Sequence, residues 1–476
     1  MKLGLISHFI PSKNPLHKIT RPLVRFSEGT LLDAIKAKSL FTEDENASTS
    51  RFAGSLKNVN ASPWTPYIDH EQQIAHKHKK HKSWTQTALR MTKATGHLFK
   101  AAAKAPLALP AAAIGFSLRA LDSRLSDEFI QLEQKGEPKV WTVGDPITLL
   151  NLNVALSESQ IMNDRNQVGD SSKRARELSK FLLQEDPDVI CLQEAFDVDL
   201  IRDTLGKDLQ KAGYNVTIAA KRKNHLGLTS GLVFATKFKT DKPKFQPFSH
   251  LVSWDAAARK GVMTAQVHLN SDHSISITNT HMQGAFKQPR GTENPSEKKV
   301  QARKDQFQEI LSFTEKIIDA GAVNDEIIMG DFNTSRFRRE RDGSVKATYD
   351  YSSFKDTVLQ NYKDLNQPDT NAGFKTVLSR ERDYDHGNPN PKENETGTFQ
   401  GSCINPRSPG VRYFGQGVDP DKMYIQPNVT DHLCMKNKDG NLFSETGYRY
   451  ESILPVGPSG ILSDHKAIKV TLQANN

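Results

Sequence analysis

Ile327-Ile328-Met329-Gly330-Asp331-Phe332-Asn333-Thr334 is the stretch from which the fold of this chain is read. Three apolar residues run unbroken into a glycine, the pattern of a strand buried on both faces in the middle of a sheet. Gly330 is expected to let the chain turn at the strand's end. Asp331 and Asn333 then stand two apart, on one side of extended chain, where the sheet opens to solvent. A carboxylate beside a neutral amide suits phosphoryl chemistry, as an oxygen ligand for Mg²⁺ and a donor for a phosphate oxygen. The same pair also serves in turns and helix caps. What decides between these roles is which other residues reach that end of the sheet.

Upstream, a helix is predicted from about Gln301 to Ala320, with Phe307, Ile310, Leu311 and Ile317 on one face and Gly321 closing it. Before it, Ser274–His281 alternates and delivers His281 at its end. Gly261–Val267 and Gly231–Ala235 read as further strands. Val189–Glu194 is another buried strand, and Glu194 is the charge at its exit, which needs a partner or a metal. A helix capped by Ser171 or Ser172, with Leu178, Phe181 and Leu182 inward, ends before Pro187. Ile147–Val154 is the first strand of the alternation and carries Asn153. Downstream, residues 379 to 419 are dense in Asn, Pro, Gly and charge and read as a long surface excursion. Ser463-Asp464-His465 then precedes a last strand, Lys466 to Leu472.

The 476 residues suffice for a large core, in two or three domains or in one large α/β domain with an extension. A formal charge of +9 suits an anionic partner: nucleic acid, phospholipid headgroups or a phosphorylated small molecule. Cys191, Cys403 and Cys434 form no disulfide framework and no zinc spacing, and Cys191 is expected in the core. Polar residues break the apolar run after Ile6, so no cleavable signal peptide is expected. No stretch reaches the length of about eighteen apolar residues that a spanning helix needs. The chain is therefore expected to be cytosolic or peripheral to a membrane.

Residues 1 to 140 lie outside the strand–helix alternation. They contain a basic run, His76-Lys77-His78-Lys79-Lys80-His81-Lys82, and an uncharged apolar segment, Ala105 to Leu118, closed by Arg119. That segment either packs on the main domain or lies shallowly in a membrane interface. The basic run nearby favours the second, because cations draw chain to anionic lipid and the apolar patch then buries.

Five strand ends thus carry polar groups: Asn153, Glu194, His281, Asp331 with Asn333, and Asp464 with His465. The inventory fits one reaction. Carboxylates bind a divalent metal, amides hold phosphate oxygens, and two histidines supply a base and a positive hydrogen-bond donor. In order and spacing, the series Asn153, Leu192-Gln193-Glu194, Thr280-His281-Met282-Gln283, Gly330-Asp331-Phe332-Asn333 and Ser463-Asp464-His465 resembles the endonuclease/exonuclease/phosphatase superfamily, over residues 145 to 472. The resemblance implies an α/β fold: two mixed β-sheets packed face to face with helices outside, a four-layer sandwich. Residues 141–476 would form this catalytic domain and residues 1–140 an N-terminal extension. By the same resemblance, Glu194 would be the main Mg²⁺ ligand, helped by Asn153, with Mn²⁺ as a substitute. His465 would be the general base and Asp464 would support the metal–water cluster. Asp331 and Asn333 would position water and phosphate, and His281 would stabilise charge on the phosphoryl oxygens.

One departure concerns the residue that orients the catalytic histidine, an Asp directly before a Tyr or His in the strand preceding Ser-Asp-His. The nearest match is Asp421-Lys422-Met423-Tyr424-Ile425, with Met423 where the Asp is expected. Either Asp421 reaches in through a shifted strand or the orienter comes from elsewhere. Among branches, no Trp-Thr-Asp-Arg signature of the inositol 5-phosphatases is present. Asp255 five residues before Lys260-Gly261, together with Thr280-His281-Met282-Gln283, is similar to the neutral sphingomyelinases. This resemblance implies hydrolysis of sphingomyelin to ceramide and phosphocholine at a membrane surface, with anionic lipid bound through the extension. A nuclease, a phosphoinositide phosphatase and a catalytically dead binding module are the alternatives, and nucleic acid is the weaker partner because much of the basic clustering lies in the extension.

Overall fold

In the computed structural model, the described residues are 26, 30, 100–108, 110–111, 113–114, 127–157, 170–221, 228–284, 297–318, 323–334, 337–339, 345–347, 351–360, 362–364, 431–437, 442–453, 455–458, 460–463 and 465–475. In chain order the elements are β1 (Phe129–Leu132), β2 (Ile147–Leu156), α1 (Ser171–Glu185), β3 (Val189–Ala195), β4 (Asn215–Ala219), β5 (Val233–Thr236), β6 (Lys239–Thr240), β7 (Lys244–Pro247), β8 (Gly261–His268) and β9 (Ser274–His281). There follow α2 (Glu297–Ile318), β10 (Asp325–Asp331), β11 (Phe337–Arg339), β12 (Val345–Ala347), α3 (Tyr351–Thr357), β13 (Lys363–Asp364), β14 (Asp431–Asn437), β15 (Phe443–Ile453), β16 (Val456–Gly457), β17 (Gly460–Ile461) and β18 (Ala467–Ala474). Short helical turns connect β3 to β4 and precede β8.

Two mixed sheets carry the fold. The first is ordered β1-β4-β5-β3-β2-β18-β15 and the second β13-β14-β10-β9-β8-β6, with β7 also on β8. β2 with β3 and β9 with β10 are parallel pairs, and the other ladders are antiparallel.

Strand periodicity explains the layers. Successive side chains point to opposite faces, so Leu149, Cys191, Ile277, Met329 and Leu433 meet between the sheets. The alternate residues Leu150, Leu152, Ile190 and Leu192 face outward and pack against Ala175, Leu178 and Leu182 of α1. On the far side, Ile328 and Cys434 pack against Phe307 and Ile310 of α2 and Phe354 of α3. The result is the expected helix–sheet–sheet–helix sandwich. α1 starts at Asp170, whose side chain accepts from Lys173 N, and stops at Asp186 in left-handed backbone just before Pro187. Cys191 lies in the core, and burial raises its thiol well above the usual range.

Departures from the sequence reading begin with the cap of α1, which is Asp170 and not Ser171 or Ser172. Gly330 sits inside β10 rather than at a turn: a Cβ there would lie 2.0 Å from Thr280 O, so the glycine permits close approach of β9. β1 lies within the stretch assigned to the extension, yet pairs with β4 at the sheet's edge. The strands β14 and β15 were not expected. The first follows a long polar segment, and in the second apolar residues alternate only weakly.

Residues 100–108 are helical, with Leu107 67% and Ile114 53% exposed. The basic run 76–82, Cys403, Asp421, residues 379–419 and the rest of the apolar segment lie outside the described residues. No helix among the described residues is long and apolar enough to cross a membrane.

Candidate active site

Each central strand is apolar on its inner face for two positions and then turns polar. Along β2 the order is Ile147, Leu149, Asn151, Asn153, and along β9 it is Ile275, Ile277, Asn279, His281. Along β10, Ile327 and Met329 lead to Asp331. Antiparallel β14 reaches the same level through its first residue, Asp431, which faces Asp331 across the ladder. Strict alternation would turn Glu194 of β3 outward. Its left-handed backbone (φ 53°) breaks the alternation and brings the carboxylate to the cleft. A non-glycine residue held there costs about 1–3 kcal/mol, and such strain concentrates at functional sites.

The carboxylates converge on Asn153, whose Nδ2 donates to Glu194 Oε1 at 3.1 Å and to Asp331 Oδ2 at 3.0 Å. Its Oδ1 accepts from Ala155 N. Asn153 therefore presents its donor to both carboxylates, and its oxygen would meet a cation there only with the amide turned over. Burial, and then Asp431, push Asp331 up to about 6. Burial also raises Glu194, opposed by Lys260, the Asn153 hydrogen bond and His465. Ligand atoms of Glu194, His281 and Asp331 lie within 4.8 Å of one another, as do those of Asp331, Asp431 and His465. Two carboxylates, Asp331 buried and Glu194 partly exposed, converge with hard oxygen donors that fit a Mg²⁺- or Mn²⁺-type cation.

His281 Nε2 lies 3.6 Å from Asp331 Oδ2 and 3.8 Å from Glu194 Oε1. The positive histidine expected there does not fit. Lys260 Nζ donates to Nε2 at 2.9 Å, so that nitrogen accepts and the ring is neutral. Burial, Lys260 and His465 all push its pKa well below the usual range. The cation at this point is Lys260, which is buried and also bonds Asp255 Oδ1 at 2.6 Å and Met282 O at 3.0 Å. Asp255 Oδ2 accepts from Gln283 Nε2 and Gly284 N. Both partners of the Asp255–Lys260 pair are buried. Asn333 N donates to Asp331 Oδ1 and its Nδ2 to Met282 O, so it braces the two strand ends.

His465 Nδ1 lies 2.8 Å from Asp431 Oδ2. The carboxylate can only accept from it, so in the neutral ring the lone pair is on Nε2, 3.9 Å from Asp331 Oδ2. Asp431 is thus the orienting residue that the sequence reading sought at Asp421. The signal was present: Asp431-His432 opens the unbroken apolar run Leu433-Cys434-Met435. Asp464 lies outside the described residues. Ser463 Oγ donates to Asn153 O and accepts from His465 N, tying β2 to the histidine. Two braces were missed because they lie on helices. Arg174 of α1 donates to the carbonyls of Val154, Ala155 and Leu462, and Gln306 and Arg303 of α2 bond the backbone of Gln283.

The family model described as "Endonuclease/Exonuclease/phosphatase family" matches residues 150–465. More than half of the chain is covered, with Glu194, His281, Asp331 and Asp431 inside the match and His465 at its end. The chain belongs to this family, whose members are metal-dependent phosphoesterases and nucleases. Among curated proteins, none matches this chain closely enough to count as a relative. Solved structures similar to it include a beta toxin from Staphylococcus aureus, at 16% identity and TM-score 0.46, covering 68% of this chain and 99% of that one. Sphingomyelinase C from Streptomyces griseocarneus matches at 13% identity and TM-score 0.44, covering 69% and 99%. Truncated TDP2 from Caenorhabditis elegans matches at 15% and 0.40, covering 69% and 98%. These likenesses do not choose a substrate.

Proposed function

We propose that the chain is a Mg²⁺-dependent phosphodiesterase that hydrolyses sphingomyelin to ceramide and phosphocholine. The observation that carries the choice of substrate is the position of Asp255 and Lys260. Their spacing resembles the neutral sphingomyelinases, and the pair is buried with its ammonium against His281. Glu194 and Asp331 would hold the cation, with Asn153 between them. A bound cation supplies positive charge against the phosphoryl oxygens.

His465 Nε2 is the base that takes the proton of the attacking water, and Asp431 fixes its tautomer and stabilises the imidazolium that forms. Water attacks phosphorus opposite the ceramide oxygen, that P–O bond breaks, and the ceramide oxygen leaves with a proton from solvent while His465 returns its own to solvent. Lys260 holds positive potential beside His281 while Asn333 keeps Asp331 in place. Asp464, next to His465 in sequence, is assigned to the metal–water cluster by resemblance. The extension, with Leu107 and Ile114 exposed and its basic run upstream, is assigned to anionic lipid at the membrane surface.

The test is a substrate panel with Mg²⁺: sphingomyelin, lysophosphatidylcholine, phosphoinositides, plasmid DNA and RNA. Sphingomyelin should be turned over fastest and chelator should abolish the reaction. His465→Ala should lower turnover about 10²-fold or more with the fold retained. Plasmid nicking far faster than sphingomyelin hydrolysis would replace this reading with a nuclease, and full activity in excess chelator would remove the metal.

A further inference from the structure

Directly beneath the candidate active site, the apolar contact between the sheets is interrupted by three fully buried amides: Asn151 on β2, Gln193 on β3 and Asn279 on β9. Gln193 Nε2 donates to Asn151 Oδ1 and to Asn279 Oδ1, both at 2.8 Å. Asn279 Nδ2 in turn crosses to the first sheet, donating to Leu192 O at 3.1 Å and Val233 O at 2.9 Å. Asn151 and Gln193 belong to one sheet and Asn279 to the other. Each amide also sits one or two residues before a site residue: Asn151 before Asn153, Gln193 before Glu194, Asn279 before His281.

We infer that this amide layer sets the register of one sheet against the other, and thereby the spacing between the two halves of the active site. Asn153 and Glu194 come from the first sheet, while His281, Asp331 and Asp431 come from the second. An apolar contact between sheets is non-directional and tolerates sliding, whereas hydrogen bonds fix direction within tenths of an ångström. Burying three amides costs desolvation that aliphatic side chains would avoid, and fixing register is the best-attested return for such a cost. The layer stands where sliding would matter most, because Asn153 Nδ2 must reach Glu194 on its own sheet and Asp331 on the other. Asn279, which makes all three side-chain bonds between the sheets, is the central positioning residue. The inference rests on the proposed function in that it takes the polar end above the layer as the reacting site.

Asn279→Leu removes all three side-chain bonds between the sheets and leaves Gln193 bonded to Asn151 within the first sheet. Leu149→Ala, in the apolar contact further from the site, is the control for lost stability without lost register. Gln193→Met, which removes only the Gln193–Asn279 bond between the sheets, replaces Asn279→Leu if the latter does not fold. Crystal structures should show the Glu194–Asp331 separation changed by about 0.5 Å or more in the amide variant, and unchanged in the control. Calorimetry should find Mn²⁺ bound about tenfold more weakly, and kcat should fall up to about 10²-fold with KM near wild type, the pattern of misplaced reacting groups. An unchanged carboxylate separation with wild-type Mn²⁺ affinity would overturn the inference. Absence of Mn²⁺ binding by the wild type would count against the proposed function alone, because the carboxylate separation still decides the role of the layer.

Discussion

Asp331 shows how much the site costs the fold. Its carboxyl is pushed from 3.8 to about 6 by burial and by Asp431. A group whose pKa is raised on folding favours the folded state most while protonated. That contribution is complete below pH 3.8 and is lost as pH rises through 6. The metal-free protein should therefore weaken across this window relative to Asp331→Asn, by an amount on the order of 2–3 kcal/mol. Urea unfolding of both proteins from pH 3.5 to 8, in chelator, measures it. A stability difference that stays constant with pH would mean the carboxyl is unperturbed. Added divalent cation should restore the wild type at pH 7 and leave Asp331→Asn unaffected. At this scale the sequence was informative wherever a polar residue ends an apolar strand, as at Glu194, His281 and Asp331. It was wrong on charge state: the neutral ring of His281 follows from Lys260, a neighbour that only the folding of β8 beside β9 supplies.

At the scale of elements, what was legible follows from period. Ser274–Thr278 alternates polar and apolar residues, and the predicted bounds Ser274–His281 coincide with β9. Pro187 ends α1 as read, by chain stiffness, but its cap is Asp170 and not Ser171 or Ser172, which lie inside the helix. β14 escaped because its pairing partners, β10 and β13, are far from it in sequence, and only that pairing brings Asp431 to His465. The brace from α1 escaped for the same reason. Arg174 lies on a helix whose apolar stripe is read as core, yet its guanidinium reaches the carbonyls of Val154, Ala155 and Leu462. Ala155 is itself left-handed (φ 48°), where the β2–β3 ladder shifts register between Asn153 and Leu156. Arg174→Met should remove the donors to these carbonyls and cost on the order of 3 kcal/mol, since each buried acceptor that loses its donor costs about 1–3. Arg174→Lys, with fewer donors, should fall between Met and wild type. Equilibrium unfolding gives the ranking, and equal stability of all three would show that the clamp contributes nothing.

For the whole molecule, the placement of β1 decides where the chain can be cut. Phe129–Leu132 completes an edge of the first sheet against β4, and Glu128 adds an ion pair with Arg259 and accepts from Ala220 N through its carbonyl. A catalytic unit must therefore keep residues from about 126 onward, upstream of the boundary at 140 that composition alone suggested. Removal of residues 1–125 leaves both sheets, the layer of amides and every site residue in the chain. If the extension serves lipid attachment, the truncated protein should lose binding to vesicles containing anionic phospholipid. It should keep Mg²⁺-dependent hydrolysis of sphingomyelin dispersed in detergent within about threefold of the full chain, because a tether acts through local concentration and not through the reacting groups. Binding of the full chain should also weaken as salt rises, since contacts between lysines and headgroups are screened beyond about 10 Å at 0.1 M. Co-sedimentation with vesicles across a salt series, beside turnover in detergent, separates the two roles. If the apolar segment is instead core to the catalytic domain, circular dichroism of the truncated protein will report a loss of folded structure. Vesicle binding and turnover would then disappear together.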